Sequence, residues 1–235
     1  MPIYQLPEEP LFPPADHADK DGLLAVGGDL SPQRLLNAYA SGIFPWYSGG
    51  QPILWWSPDP RMVLYPEKFH RHKNLRRVIE KKTFAFSFDQ EFENVITYCS
   101  SVKRENQKDT WITKEMKEAY TNLHKAGFAH SVETYFDGCL CGGLYGVSIG
   151  SMFFGESMFH LKTNASKVAL WHLVNFCLLQ GIKVIDVQQN TSHLKSMGAE
   201  LVIRKNFLTL LEQNLSTASL TGDWQQYFDK TNTHE

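Results

Sequence analysis

The sequence predicts an α+β chain in which a small, irregular N-terminal part precedes a mixed sheet with helices. Three observations carry this. Most of the eleven prolines, and Trp46, Trp55 and Trp56 among the six tryptophans, fall within the first 60 or so residues. From Met62 onward, period-two and helical patterns interleave. Residues 164–179 are apolar nearly all round, as in a helix buried against a sheet. At 235 residues the chain is one large domain or two modest ones. The division is expected at 1–61 and 62–235.

Taken in order, Ser31 and Pro32 read as an N-cap followed by proline at the first helical position. They open a short helix through Tyr39 that Gly42 ends. The rest of this part should be irregular or in short strands, because proline removes ladder donors. Lys73, Arg76, Arg77 and Glu80 recur at i, i+3, i+4 and i+7. On a helix they share one face, with Leu75, Val78 and Ile79 on another. Residues 84–88 alternate as a strand. Residues 91–100 and 113–125 read as helices, the second closed by Gly127. Residues 130–136, 139–148 and 152–159 are three successive strands. Asp137-Gly138 joins the first two, a strong hairpin signal, and Gly150-Ser151 joins the last two. Residues 183–188 and 201–204 are short strands around the turn that follows the buried helix, and 206–215 a closing helix. The polar tail after Asn214 gives no readable signal.

Composition narrows the function. With 43% apolar and 20% charged residues the chain is globular rather than disordered. Its apolar runs are interrupted by His172, Asn175 and Gln180, far short of the roughly 18 residues of a membrane span. The start lacks a basic segment followed by an apolar core, so a secretory leader is not expected. Four cysteines are too sparse for a disulfide scaffold and suit a reduced, cytoplasmic setting. Cys139 and Cys141 form a C-x-C pair without a second pair at zinc spacing, and no H-E-x-x-H occurs, so no metal is expected. Neither G-x-S-x-G nor a phosphate-binding G-x-x-x-x-G-K-[ST] loop is present.

The net charge of −2 is unevenly spread. Residues 68–82 carry seven lysines and arginines against Glu80, a local +6 on an otherwise acidic chain. Such a segment is either a solvated helix face or a footprint for nucleic-acid phosphates. Lys73, Arg76, Arg77, Lys81 and Lys82 are the candidate contacts.

Two polar clusters sit where strands end. Glu156 lies in an aromatic strand, where a carboxylate needs partners. Asp186 and Gln188, two apart on a strand, should point to the same face. A carboxylate and an amide together suit an amine and a carbonyl. They equally suit a structural network tying loop to strand. Trp46 and Trp111, in polar surroundings, are either ordinary core or stacking platforms for a base.

Seven blocks of residues decide further. They are GLLAVGGDLSP at 22–32, GIFPW at 42–46, LWWSPDPR at 54–61, TWIT at 110–113, GESMF at 155–159, NASK at 164–167 and IDVQ at 185–188. In this order and spacing the chain closely resembles the leucyl/phenylalanyl-tRNA–protein transferases, from about residue 12 to about 210. The resemblance implies a small N-terminal domain followed by a domain like that of the GNAT acetyltransferases. The loop by which those enzymes hold coenzyme A is missing, which fits an aminoacyl-tRNA donor. The implied reaction moves Leu or Phe, and less readily Met, from Leu-tRNA or Phe-tRNA onto proteins beginning with Arg or Lys. The product is marked for N-degron proteolysis. The ester is already activated, so no cofactor is implied.

The resemblance also gives the residues provisional roles. Asp186 would orient Gln188, and Gln188 would draw on the attacking amine. Glu156 would share the site and face the cationic acceptor residue. Trp46 and Trp111 would hold the terminal adenosine and the aminoacyl group. Phe153, Ser157 and Met158 would line the side-chain pocket, and the basic segment would follow the acceptor stem. Two other functions use overlapping residues. A module recognising N-terminal Arg or Lys without chemistry needs Glu156 and Asp186 but not the basic segment. A cell-wall peptide-bond former using aminoacyl-tRNA needs a different acceptor. Neither accounts for the LWWSPDPR block.

Overall fold

The computed structural model describes residues 3–101 and 112–232. The proline-rich start forms short strands, as its lost ladder donors dictate. They are β1 (Tyr4–Gln5), β2 (Leu23–Val26), β3 (Phe44–Pro45) and β4 (Leu54–Trp56), with helix α1 (Pro32–Ala40) between β2 and β3. They make a four-stranded sheet in the order β1-β2-β4-β3. Ser31 caps α1, its hydroxyl accepting from the Arg34 amide at 3.4 Å, and Gly42 follows at φ +75°. The fully buried Arg34 donates to Asp29 and to the carbonyls of Pro7 and Glu8, tying the N-terminal strand to α1.

Next come β5 (Arg61–Leu64), α2 (Lys73–Glu80), β6 (Ala85–Phe88), α3 (Phe92–Ser101) and α4 (Lys114–Lys125). Strands β7 (Ala129–Phe136), β8 (Cys139–Ile149) and β9 (Met152–His160) follow as a meander. Asp137 and Gly138 both take positive φ at the first hairpin, as a tight Asp-Gly turn requires. The chain ends with α5 (Ala165–Gln180), β10 (Val184–Gln188), α6 (Ser192–Ser196), β11 (Glu200–Val202), α7 (Arg204–Leu215) and α8 (Trp224–Asn232). The second sheet has the order β11-β5-β10-β9-β8-β7-β6. Its neighbours are antiparallel except β9 and β10, which α5 connects in parallel.

Alternation along these strands divides the core between two faces. Val63, Tyr145 and Phe154 pack with the N-terminal sheet, α3 and α4. Met62, Leu64, Leu144 and Phe153 pack with α5 and the C-terminal segment. The tail without a readable sequence signal is therefore part of the core. Trp224 is fully buried, stacked on His130 and Phe176, and its amide donates to Asp89. No helix among the described residues is long and apolar enough to cross a membrane.

Helix α5 approaches the sheet closely at Gly142. A Cβ there would stand 2.5 Å from the Ala165 Cβ, so only glycine allows the first turn of α5 to settle on β8.

Candidate active site

Strands β9 and β10 pair through Val184–Met152, Ile185–Phe153 and Asp186–Phe154, then part. Beyond that point β9 pairs with β8 and β10 with β5. A cavity of about 830 Å³ opens between them. A crevice past the carboxyl ends of parallel strands is where open α/β sheets seat ligands. Here it also has the volume of a ligand pocket.

Glu156 of β9 and Gln188 of β10 face each other across the opening. The Gln188 Nε2 donates to Glu156 Oε1 at 2.9 Å. Two further donors reach the same carboxyl: the Tyr39 hydroxyl at 2.7 Å and the Tyr120 hydroxyl at 3.0 Å. The two hydroxyls are themselves 2.5 Å apart. Desolvation pushes the Glu156 carboxyl up to about 7, although the hydrogen bonds from Tyr39, Gln188 and Tyr120 pull the other way. Both tyrosine hydroxyls are held well above their ordinary range by burial and by the carboxylate beside them. They are donors at neutral pH. Glu156 is thus a carboxyl that gains and loses its proton near neutrality.

Asp186 is placed differently from the strand-alternation expectation. The β5–β10 ladder slips between Asp186 and Gln188, and Gln188 adopts φ +61°. The bulge breaks the period of two, so the pair does not share a face. Gln188 lines the cavity and Asp186 does not. Asp186, fully buried, accepts from Arg61 Nε at 2.9 and 3.1 Å and from Nη2 at 2.7 Å. The Arg61 guanidinium lies between the rings of Phe44 and Phe207. Asp186 Oδ1 also accepts the backbone N–H of Gln188 at 2.9 Å. It therefore fixes the Gln188 backbone, and Glu156 fixes the Gln188 side chain.

Trp46, Phe153, Ser157 and Met158 all line the cavity. Trp46 packs edge-on against Trp56, whose indole donates to the Trp46 carbonyl. Trp111 lies outside the described residues. Lys73, Arg76, Arg77, Lys81 and Lys82 are exposed on and just beyond α2, away from the cavity lining. None pairs with a carboxylate among the described residues. A smaller cavity of about 200 Å³ adjoins the first, sharing Phe44, Trp46, Gln188 and Gln189, and reaches Asp21 and Trp56.

Three residues without an expected role join the site: Arg61, Tyr39 and Tyr120. Arg61 ends the LWWSPDPR block, which marked it as notable but not as the partner of Asp186. The two tyrosines sit on apolar helix faces and are indistinguishable in sequence from core aromatics.

The sequence profile of the leucyl/phenylalanyl-tRNA protein transferases matches residues 63–212, and that of their N-terminal domain matches residues 28–59. The chain is 53% identical to the leucyl/phenylalanyl-tRNA–protein transferase of Desulfatibacillum aliphaticivorans, over 95% of this chain and 96% of that one. It is 52% identical to that of Syntrophobacter fumaroxidans, over 96% of each. A solved aminoglycoside acetyltransferase from an uncultured soil metagenomic sample overlays with a TM-score of 0.37 at 11% identity. That overlay covers 48% of this chain and 82% of the other.

Proposed function

The chain belongs to the leucyl/phenylalanyl-tRNA protein transferase family, and from that premise we propose how its cavity performs the transfer, and onto what. Aminoacyl transfer from tRNA to protein is the family's reaction. The donor carries Leu or Phe, and less readily Met. The acceptor is a cytoplasmic protein beginning with Arg or Lys, which the added residue marks for N-degron proteolysis.

The observation that carries this is the Gln188–Glu156 bridge across the parted strands. The acceptor's α-amino nitrogen attacks the ester carbonyl carbon. A C–N bond forms, the C–O bond to the ribose breaks, and the ribose oxygen leaves with a proton. Gln188, its amide N–H committed to Glu156, turns its carbonyl to the amine N–H and aligns the lone pair. The proton shed by nitrogen passes to Glu156, whose pKa of about 7 suits a general base at neutral pH, and from Glu156 to the departing ribose oxygen. Asp186 is a positioning residue acting through the Gln188 backbone. The aminoacyl side chain rests on the apolar wall of Phe153, Met158, Leu170, Leu173 and Ile185. A pocket of this kind selects by shape, at about 1–3 kcal/mol per methylene. Trp46, with Trp111, holds the terminal adenosine. The acceptor enters by the smaller cavity, where Asp21 and the Trp46 and Trp56 rings suit a cationic side chain, with Glu156 adding charge from within.

The test is a transfer assay with radiolabelled Leu-tRNA and two model proteins that differ only in exposing Arg or Ala at the N-terminus. Acid-stable label on the Arg protein alone is expected. Equal label on both would sink the acceptor rule, and label on neither would sink the reaction.

A further inference from the structure

The cavity has a second polar wall that the transfer chemistry above does not use. Ser166 and Lys167 stand in the first turn of α5, His160 ends β9, and His193 lies on α6. All four line the cavity. Lys167 and His193 are half-buried and His160 is exposed. The three cationic or cationisable groups lie close enough for Lys167 and His160 to act on His193. Burial first, then those two neighbours, lowers the His193 pKa. No carboxylate among the described residues pairs with any of the three. Lys167 thus stands at the cavity without a counter-charge, and the two imidazoles beside it are hydrogen-bond donors to any anion that settles there. Ser166 is only 5% exposed, and its hydroxyl has no hydrogen-bond partner among the described residues. The N-cap residue of α5, Asn164, makes no side-chain cap either; the Ala165 amide donates to the Lys162 carbonyl, and the Ser166 and Lys167 amides add donors at the positive end of a 16-residue helix.

We propose that Lys167, Ser166 and His193, with His160 at the rim, form a phosphate subsite that grips the phosphodiester on the 5′ side of the donor's terminal adenosine. This deepens the transferase reading and rests on it. His160, at the rim of this wall, lies four residues along β9 from Glu156, about 13 Å at strand rise. The reacting ester at Gln188 and the phosphate are thereby kept apart, with the negative phosphate away from the carboxylate. Contact is to the sugar-phosphate backbone and so is indifferent to the amino acid carried.

The test compares two non-reactive donors: 3′-phenylalanylamido-adenosine, and the same compound with a 5′-phosphodiester to cytidine. Calorimetry gives the Kd of each, independently of transfer. The phosphodiester should tighten binding to the unaltered protein about tenfold, the scale of one charge-assisted contact. Lys167→Gln should bring the two affinities together, and Lys167→Arg should keep them apart. Equal affinities in the unaltered protein, or a preference that survives Lys167→Gln, would overturn the subsite. A phosphate preference without transfer to the Arg protein would remove the reaction and leave the subsite standing. Binding of neither compound would overturn both.

Discussion

Glu156 sits between two effects that titrate in the same range. Its carboxyl, raised to about 7 by desolvation, is ionised only above that pH. The attacking α-amine, with a pKa near 8, is free base only above its own. The rate of transfer should therefore rise with pH through both steps, and Glu156→Gln should remove the lower one. A Glu156→Gln profile still rising through about 7 would deny Glu156 the proton. The fully buried Glu133 is also raised to about 7 from 4.5, by desolvation first. The folded state thus binds more protons than the unfolded one between those values. Its stabilising contribution is complete below about 4.5 and is lost as pH climbs through 7. Urea midpoints should fall across that window, less steeply in Glu133→Gln, with Glu156 accounting for the fall that remains. Asp186 behaves differently, as half of a buried ion pair. Removing it strands Arg61, so Asp186→Ala should cost about 3–5 kcal/mol of stability as well as activity, while Asp186→Leu with Arg61→Met recovers much of the stability. Denaturant unfolding of the two variants beside the parent checks this, and an Asp186→Ala protein as stable as the parent would contradict it. Glu156, Asp186 and Gln188 were legible in the sequence because polar residues inside apolar strands need a reason. Tyr39 and Tyr120 were not, since a hydroxyl aimed at a carboxyl 117 or 36 residues away leaves no local trace.

At the level of elements, the parting of β9 from β10 makes the cavity, and the seat of α5 decides what faces it. That seat depends on Gly142. Gly142→Val places a branched side chain where Ala165 Cβ already stands, so the first turn of α5 must lift from β8. Overpacking of this kind costs about 1–3 kcal/mol. The shift also carries Ser166 and Lys167 away from the cavity, so donor affinity should fall more than the loss of stability explains. Calorimetric Kd beside the unfolding midpoint separates the two; a normal Kd in a destabilised protein would show α5 unmoved. Most elements from residue 84 to 215 follow from periodicity and turn chemistry, because each carries its own caps or hairpin residues. The Asp137-Gly138 turn and the Ser31 and Thr113 caps are cases in point. What escaped the sequence is non-local. The bulge at Gln188 arises where β10 meets β5, from a residue 126 positions earlier in chain, Met62. Helix α8 gains its place from Trp224 stacking on His130, and nothing in the polar tail announces that contact.

Across the whole molecule, charge and cavity are joined through α5. The apolar face of α2 packs into the same core cluster as α5, through Leu75. Its other face holds Lys73, Arg76 and Arg77 in solvent, with Lys81 and Lys82 following. A chain of net charge −2 thus presents a local cationic surface on the helix that packs against the cavity's own helix. On the proposed placement of the donor's acceptor stem along α2, its single-stranded end is expected to run toward α5, and little of the stem's sequence needs to be read. The energetics follow from counterion release: log Kd rises linearly with log salt, each phosphate neutralised adding about 0.7–0.9 to the slope. Arg76→Gln with Arg77→Gln should lower that slope by about 1.4–1.8 and weaken every aminoacyl-tRNA alike. Both side chains are exposed, so stability should stay within about 0.5 kcal/mol. Affinity measured from dilute to physiological salt, for a Leu-tRNA and a Phe-tRNA, checks the slope and its indifference to the amino acid together. An unchanged slope in the double variant would move the tRNA off this face and leave α2 a solvated helix. A slope lowered for one tRNA and not the other would mean that the face reads identity, which backbone contacts on a surface of lysine and arginine do not do.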